Sequence, residues 1–409
     1  SAMVTTVPKP GLAEQLVAEQ ETYLAEMKAA MTPGELEQMV KDTLAFDEWN
    51  ASEQSNSDIV ISVADLPALE AGPEFHKEEE DGALYYTAAC QSEQISVHRL
   101  LFDTSAVPQE DLHYISLYSI LLEELETENH TKTQKDNLMK QYLHGLDVDV
   151  VYPEEGERPY PMFSVRWNCM AEDYETSLGF LLESMEELKV EDKEELMRFL
   201  DKYLPSLDWS RSDPDSLNSM ICDAGVDRDG QYWEYLYGQR FYEFVKELRV
   251  RLDTDPDAMK EIGEKLRSVQ KSILHRDRMA VMNVAPQGQA EQVSDISRQM
   301  FKRLPSLPGV QADYKLPEFA DRTGVIVERS NYCTYSVSDT TLLDNLSGTL
   351  FPFLSALSDR YIVPQIRFQG LAYSAGLVFP QDLRSIVTYT YSDPKVAETV
   401  AVIDKEAEQ

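Results

Sequence analysis

At 409 residues with 43% apolar content, the chain is longer than one ordinary domain and predicts two or three compact units with real cores. Its 37 basic and 73 acidic residues leave a net charge of −36, which argues against nucleic acid or an anionic membrane as partner and for basic or neutral ones. No apolar run reaches the length of a membrane span, and the start does not read as a signal peptide.

Ser1-Ala2-Met3 reads as a cloning remnant. From 11 to 31, Leu12, Leu16, Tyr23, Met27 and Met31 recur at helical spacing. Thr32-Pro33-Gly34-Glu35 then combines an N-cap, a proline at the first helical position and a capping-box Glu, and Leu36, Val40 and Leu44 share the next helical face. A helical hairpin over 4–56 is expected. The stretch that follows reads as loop, including Asp65-Leu-Pro-Ala-Leu69 and the acidic run 77–81.

Strands are predicted at 84–90 and 94–102, a helix at about 109–126, another ending near Gly145, strands at 146–152 and 162–170, and a helix at about 174–188. Helices dominate 192–270, where the aromatic residues from Tyr232 to Phe244 read as core. A strand at 279–284 and a helix near 291–303 precede the linker candidate Leu304-Pro-Ser-Leu-Pro-Gly309. Beyond it the order returns in shortened form, with strands at 325–328 and 332–337, a helix at about 341–357, strands at 366–379 and 385–391, and a helix from Asp393. Both 163–176 and 386–399 run strand, turn with acidic N-cap candidates, helix. The expected fold is therefore α+β, with two related domains at 57–304 and 310–409, each a mainly antiparallel sheet covered by helices, preceded by the hairpin.

The stretch 366–379 reads Ile-Arg-Phe-Gln-Gly-Leu-Ala-Tyr-Ser-Ala-Gly-Leu-Val-Phe. As one extended strand it places Arg367 and Tyr373, an even number of residues apart, on one face, with Gly370, Ala372 and Ser374 leaving the backbone open to a bound peptide. Arg and Tyr both donate hydrogen bonds to a carbonyl or an oxyanion. The pattern alone favours an edge strand with a snorkelling Arg and a half-buried Tyr.

Together these pieces resemble the C-terminal half of the presequence-protease branch of the pitrilysin/insulinase metallopeptidases. The resemblance rests on Val4-Thr-Thr-Val-Pro-Lys-Pro-Gly11, the hairpin, Asp65-Leu-Pro-Ala-Leu69, the Arg367 to Tyr373 segment, and Tyr391-Ser-Asp-Pro-Lys395 followed by a helix with Glu398-Thr399. It implies two halves closing around a peptide chamber, with zinc held by an inverted His-x-x-Glu-His motif in the N-terminal half and an Arg and a Tyr contributed by the C-terminal half. Arg367 and Tyr373 match those two, with implied contacts to substrate backbone and oxyanion, and Gly370, Ala372 and Ser374 would line the substrate. Ser374 stands where the family has Gly, and Ser392 and Lys395 where it has Arg and Asn. The chain stops at Gln409 where the family continues, so a truncated last domain is expected.

No cofactor or metal is expected in this chain. Its six histidines, His76, His98, His113, His130, His144 and His275, form no inverted zinc motif. Cys90, Cys169, Cys222 and Cys333 lie far apart without a C-x-x-C pair, which suits a reducing cytosol better than a zinc site or disulfide framework. Asp227-Arg-Asp-Gly230 lacks the closing Glu of a calcium loop, since Gly occupies position 238. Gly-x-Gly-x-x-Gly, Walker and Gly-x-Ser-x-Gly patterns are also missing. Two readings remain: a half-enzyme whose partners are a zinc-bearing N-terminal half and peptide substrates, basic ones favoured, or a non-enzymatic peptide-binding or structural module of the same fold.

Overall fold

The computed structural model describes residues 10–51, 72–152, 160–226, 228–307, 314–316, 335–339, 348, 350–378 and 385–405. The chain divides into two compact units, Ser1–Gly72 and Pro73–Gln409.

The first unit holds α1 (Leu12–Ala30) and α2 (Pro33–Ala51). Their junction follows from local chemistry: the Glu35 carboxylate accepts from Thr32 N at 2.7 Å, while the Thr32 hydroxyl accepts from Glu35 N at 3.3 Å. This reciprocal box satisfies donors that a helix start leaves open, and Pro33 loses nothing at the first helical position.

In the second unit, β1 (His76–Glu80), β2 (Ala83–Cys90), β3 (Ile95–Asp103), β4 (His144–Val151), β5 (Met162–Met170) and β6 (Ala280–Pro286) form a six-stranded sheet in the order β1-β2-β6-β3-β5-β4. Only β2 and β6 pair in parallel; all other neighbours are antiparallel. Central residues are apolar and fully buried, as in the register Leu100 with Val165 and Val281.

The acidic run expected as loop is instead β1. Its charges suit an edge strand whose faces meet water, and two of them are answered by the helix alongside, through Arg298 to Glu78 and Lys302 to Glu80. The overlooked signal was Asp81-Gly82: both residues adopt positive φ, 52° and 85°, as a two-residue hairpin turn requires.

Helices α3 (Leu112–Glu124) and α4 (Lys132–Tyr142) lie between β3 and β4, and α5 (Tyr174–Glu186) follows β5. A helical excursion then runs through α6 (Lys193–Ser212), α7 (Pro214–Val226), α8 (Arg228–Tyr237), α9 (Gln239–Thr254) and α10 (Ala258–Ile273) before β6 and α11 (Ala290–Phe301). Its aromatic residues follow the predicted core assignment with one exception: Tyr232 and Phe241 are buried in the main core with Trp167, Tyr118 and Tyr174, and Tyr235, Tyr237, Tyr242 and Phe244 pack partly buried against it, whereas Trp233 is 50% exposed on the outer face of its helix. Among the described residues no helix is long and apolar enough to cross a membrane. Cys90, Cys169 and Cys222 are in no disulfide, and Cys333 lies outside the described residues.

A polar network is sealed into this core. His98 on β3 bonds through Nδ1 to the Asn283 amide oxygen at 2.8 Å and through Nε2 to the Ser96 hydroxyl at 2.7 Å. Asn283 donates to the Ser297 hydroxyl at 3.0 Å, and the Tyr174 hydroxyl meets the same oxygen at 2.7 Å. The imidazole lies 4.3 Å from the Tyr174 ring and 5.0 Å from that of Trp167, centroid to centroid. With both ring nitrogens bonded, the burial of this histidine is stabilising rather than costly.

The chain's last portion builds a three-stranded antiparallel sheet, β7-β9-β8, from β7 (Tyr335–Asp339), β8 (Ser374–Val378) and β9 (Ser385–Tyr391). Before β8 come α12 (Leu350–Leu357), a π-helical turn at Ser358–Ile362 and α13 (Val363–Ile366); α14 (Val396–Ile403) follows β9. Pro364 cannot donate to the carbonyl four residues earlier, which accounts for the widened turn beside it. The sequence β8, β9, turn, α14 repeats β4, β5, turn, α5, so the expected α+β architecture of two related parts, each with a mainly antiparallel sheet, is present. The strand expected at 325–328 lies outside the described residues.

Candidate functional site

The segment 366–379 is not one strand. Helix α13 continues through a helical turn past Arg367, whose backbone sits at φ −69° and ψ −48°, and the strand begins only at Ser374. The chain reverses through a Schellman cap: Leu371 N donates to Ile366 O at 2.9 Å and Gly370 N to Arg367 O at 3.0 Å, with Gly370 at φ +68°. Ile366 and Leu371 meet in a small apolar cluster with Ile362, Ala372 and Ala375, the apolar contact this cap usually carries. Strand parity therefore does not relate Arg367 to Tyr373. The helical signal was present in Ile362, Ile366 and Gly370 at four-residue spacing, but Pro364 and the flanking small residues obscured it.

Tyr373 is anchored by its backbone. Its N–H is shared between Tyr391 O at 3.1 Å and Ser392 O at 3.3 Å, and the ladder runs on from Ser374 opposite Tyr391. The far side of that anchor is the Tyr391-Ser-Asp-Pro-Lys395 motif. Asp393, fully buried, accepts from the Thr390 hydroxyl at 3.0 Å and from Lys395 N at 2.9 Å, tying the end of β9 to the start of α14. Ser392 takes φ 50°, an uncommon conformation for a residue with a side chain, to make this turn. The two motifs singled out in the sequence thus meet where the Tyr373 N–H reaches the Tyr391 and Ser392 carbonyls. Nothing in the sequence alone marked Asp393 as the staple.

The side chains of both candidates are free. Tyr373 is 70% exposed and Arg367 is exposed, and neither side chain has a hydrogen-bond or ion-pair partner among the described residues. A guanidinium with five donors and a phenol with one, held on a capped helix end and an anchored strand start, can donate to a carbonyl, a carboxylate or an oxyanion. Ala372 is buried against Ile366 rather than facing a ligand, Gly370 is spent on the cap, and Ser374 is half-buried at the start of β8.

Gly376, opposite Tyr389 in the register, lets the ring lie over the strand: a Cβ there would stand 2.9 Å from the ring. Gly376→Ala is expected to destabilise this sheet by about 1 kcal/mol, the low end of overpacking because the ring tip can swing aside. Amide hydrogen exchange should show the loss as faster exchange in β8 and β9, and unchanged protection there would contradict the packing argument.

The histidines do not assemble. His98 and His275 are buried, His113 bonds to the Tyr235 carbonyl at 3.0 Å, His130 to the Glu183 carboxylate at 2.8 Å, and His76 to Glu78 on the sheet edge. Among the described residues no group of three or more His, Cys, Asp or Glu could hold a metal ion.

Comparison with known proteins places these features. The chain is 21% identical over 417 residues to presequence protease 1, chloroplastic/mitochondrial, of Arabidopsis thaliana, covering 97% of this chain and 37% of that protein. It is 18% identical over 416 residues to protein HypA of Clostridium perfringens, covering 99% of this chain and 42% of that protein. The chain therefore spans about two-fifths of the length of these relatives. Among solved structures, the peptidase M16 inactive domain from Pseudomonas fluorescens superposes with a TM-score of 0.53 at 14% identity, covering 82% of this chain and 80% of that one, a likeness of fold. The family described as associated with peptidase M16, subfamily C, matches residues 7–248, more than half of the sequence, and the chain belongs to that family.

Proposed function

We propose that this chain is the non-catalytic C-terminal half of a zinc-dependent oligopeptidase. It closes over a zinc-bearing N-terminal half and supplies Arg367 and Tyr373 to the substrate backbone and the oxyanion. The observation that carries this reading is the pair itself: two exposed donors without partners among the described residues, one on a Schellman-capped helix end and the other at a residue whose backbone N–H is doubly accepted. With the backbone fixed at both residues, the ordering cost of meeting a carbonyl falls on the side chains alone. The described residues offer no ligand set for zinc, and on this reading metal chemistry belongs to the other half while this chain grips and orients. The net charge of −36 favours basic peptides as substrates. The test is peptide hydrolysis: this chain alone should cleave nothing, and the polypeptide that includes the half upstream of Val4 should cleave. An upstream sequence with no His-x-x-Glu-His motif, there or on a partner chain, overturns the proposal.

One observation favours the second reading, a non-enzymatic peptide-binding module. Among the described residues strand β8, which opens right after Tyr373, lies at an edge of the β7-β9-β8 sheet, and an extended peptide could pair with its start, ahead of Leu377, whose N–H already donates to the Ser358 hydroxyl at 3.1 Å. Saturable binding of a lysine-containing peptide by this chain without the other half, and no hydrolysis in its presence, would select that reading.

A further inference from the structure

Phe368, next to Arg367, is 71% exposed, more than any other large apolar side chain among the described residues. A single exposed apolar residue is ordinary on a protein surface. Phe368 differs in position. At 100° per residue it lies about 200° around the helical turn from the core residue Ile366, and therefore faces away from the cluster that α13 buries. The Schellman cap holds its backbone fixed in that orientation. It follows Arg367 directly in the chain, and the second exposed aromatic of the segment, Tyr373 at 70%, comes after the same turn. Aromatic residues and Arg are enriched where proteins meet peptides, the donors fixing a backbone and the ring covering a side chain once the partner excludes water.

We propose that Phe368 determines specificity: it receives an apolar side chain, such as Leu, Met or Phe, of the bound peptide. Arg367 and Phe368 are consecutive, so the residue that the ring covers lies close in the peptide to the carbonyl that Arg367 holds. This inference rests on the reading of Arg367 and Tyr373 as a peptide grip. It narrows the substrate class from basic peptides to basic peptides with an apolar residue at one defined position.

The test uses the full-length polypeptide and a lysine-containing, alanine-based peptide series in which a single Leu is moved one position at a time. Initial rates are followed by mass spectrometry. For the unsubstituted enzyme, Leu at one position should raise kcat/KM by about tenfold to a hundredfold over Ala, the range an apolar subsite supplies. Phe368→Ala should collapse that ratio towards one, and Phe368→Leu should retain part of it. Arg367→Ala, measured in parallel, should lower the rate for every peptide without changing the Leu-to-Ala ratio. A Phe368→Ala enzyme that keeps the full Leu preference, or that slows on all peptides alike, overturns the assignment of Phe368. If Arg367→Ala leaves every rate unchanged, the grip reading fails, while a collapsed ratio in Phe368→Ala would still leave the apolar subsite standing.

Discussion

Arg367→Ala in the full-length polypeptide is expected to lower kcat/KM for peptide hydrolysis by roughly a hundredfold or more, the usual effect of removing one donor from an oxyanion site. Tyr373→Phe, which deletes only the hydroxyl, should fall in the same range. Because both donors would hold the same bound peptide, the double variant should lose less than the product of the single losses. Stability should hardly change, since neither side chain has an internal partner and both are exposed among the described residues. This separates a functional loss from a folding defect: the variants should unfold at the wild-type urea concentration while turning over more slowly. Steady-state kinetics on one peptide settles the matter, and undiminished kcat/KM in both single variants would remove the assignment.

The second large effect concerns stability. Burial holds His98 neutral and lowers its pKa from 6.5 to about 4, against a smaller opposite contribution from its bond to Asn283. An unfolded chain takes up this proton near pH 6.5, whereas the folded one does so only near pH 4. Between those values the unfolded state binds more protons, so acid favours unfolding. The stability His98 contributes is complete above pH 6.5, declines as the pH falls, and is gone by about pH 4. The span corresponds to roughly 3 kcal/mol. Urea unfolding from about pH 7 to about pH 4 should show this decline in the wild type, and His98→Gln, which cannot titrate, should show a curve flatter by about that amount. Parallel curves would mean that His98 is not held neutral. The two predictions separate cleanly because His98 is locked in the first sheet's core and Arg367 stands in solvent.

Much of this fold was legible in the residues. Strands at 162–170 and 385–391 appear at those bounds because their β-branched and aromatic residues alternate and turns flank them. The capping box at Thr32 was readable because it is wholly local chemistry. Strand β1 was not legible, since a run of Glu carries no apolar period and only the neighbouring hairpin turn gives it away. The site was half legible. Residue types and spacing identified Arg367 and Tyr373, but the conformation between them was misread, because Gly370 serves a helix cap in a context rich in small residues that also suits a strand. The staple formed by Asp393 and Thr390 depends on a tertiary turn that no periodicity announces.

The placement of β6 has a consequence for biosynthesis. Strands β1 and β2 touch the rest of their sheet only through β6, which is encoded about 190 residues after β2 ends. At ribosomal speeds of about 5–20 residues per second, the first hairpin waits on the order of 10–40 s for the strand that joins it. During that interval β2 presents an open edge to the cell. The charged β1 covers its other side, so a run of Glu that looked like loop leaves the nascent hairpin one edge open to mispairing rather than two until the central strand arrives.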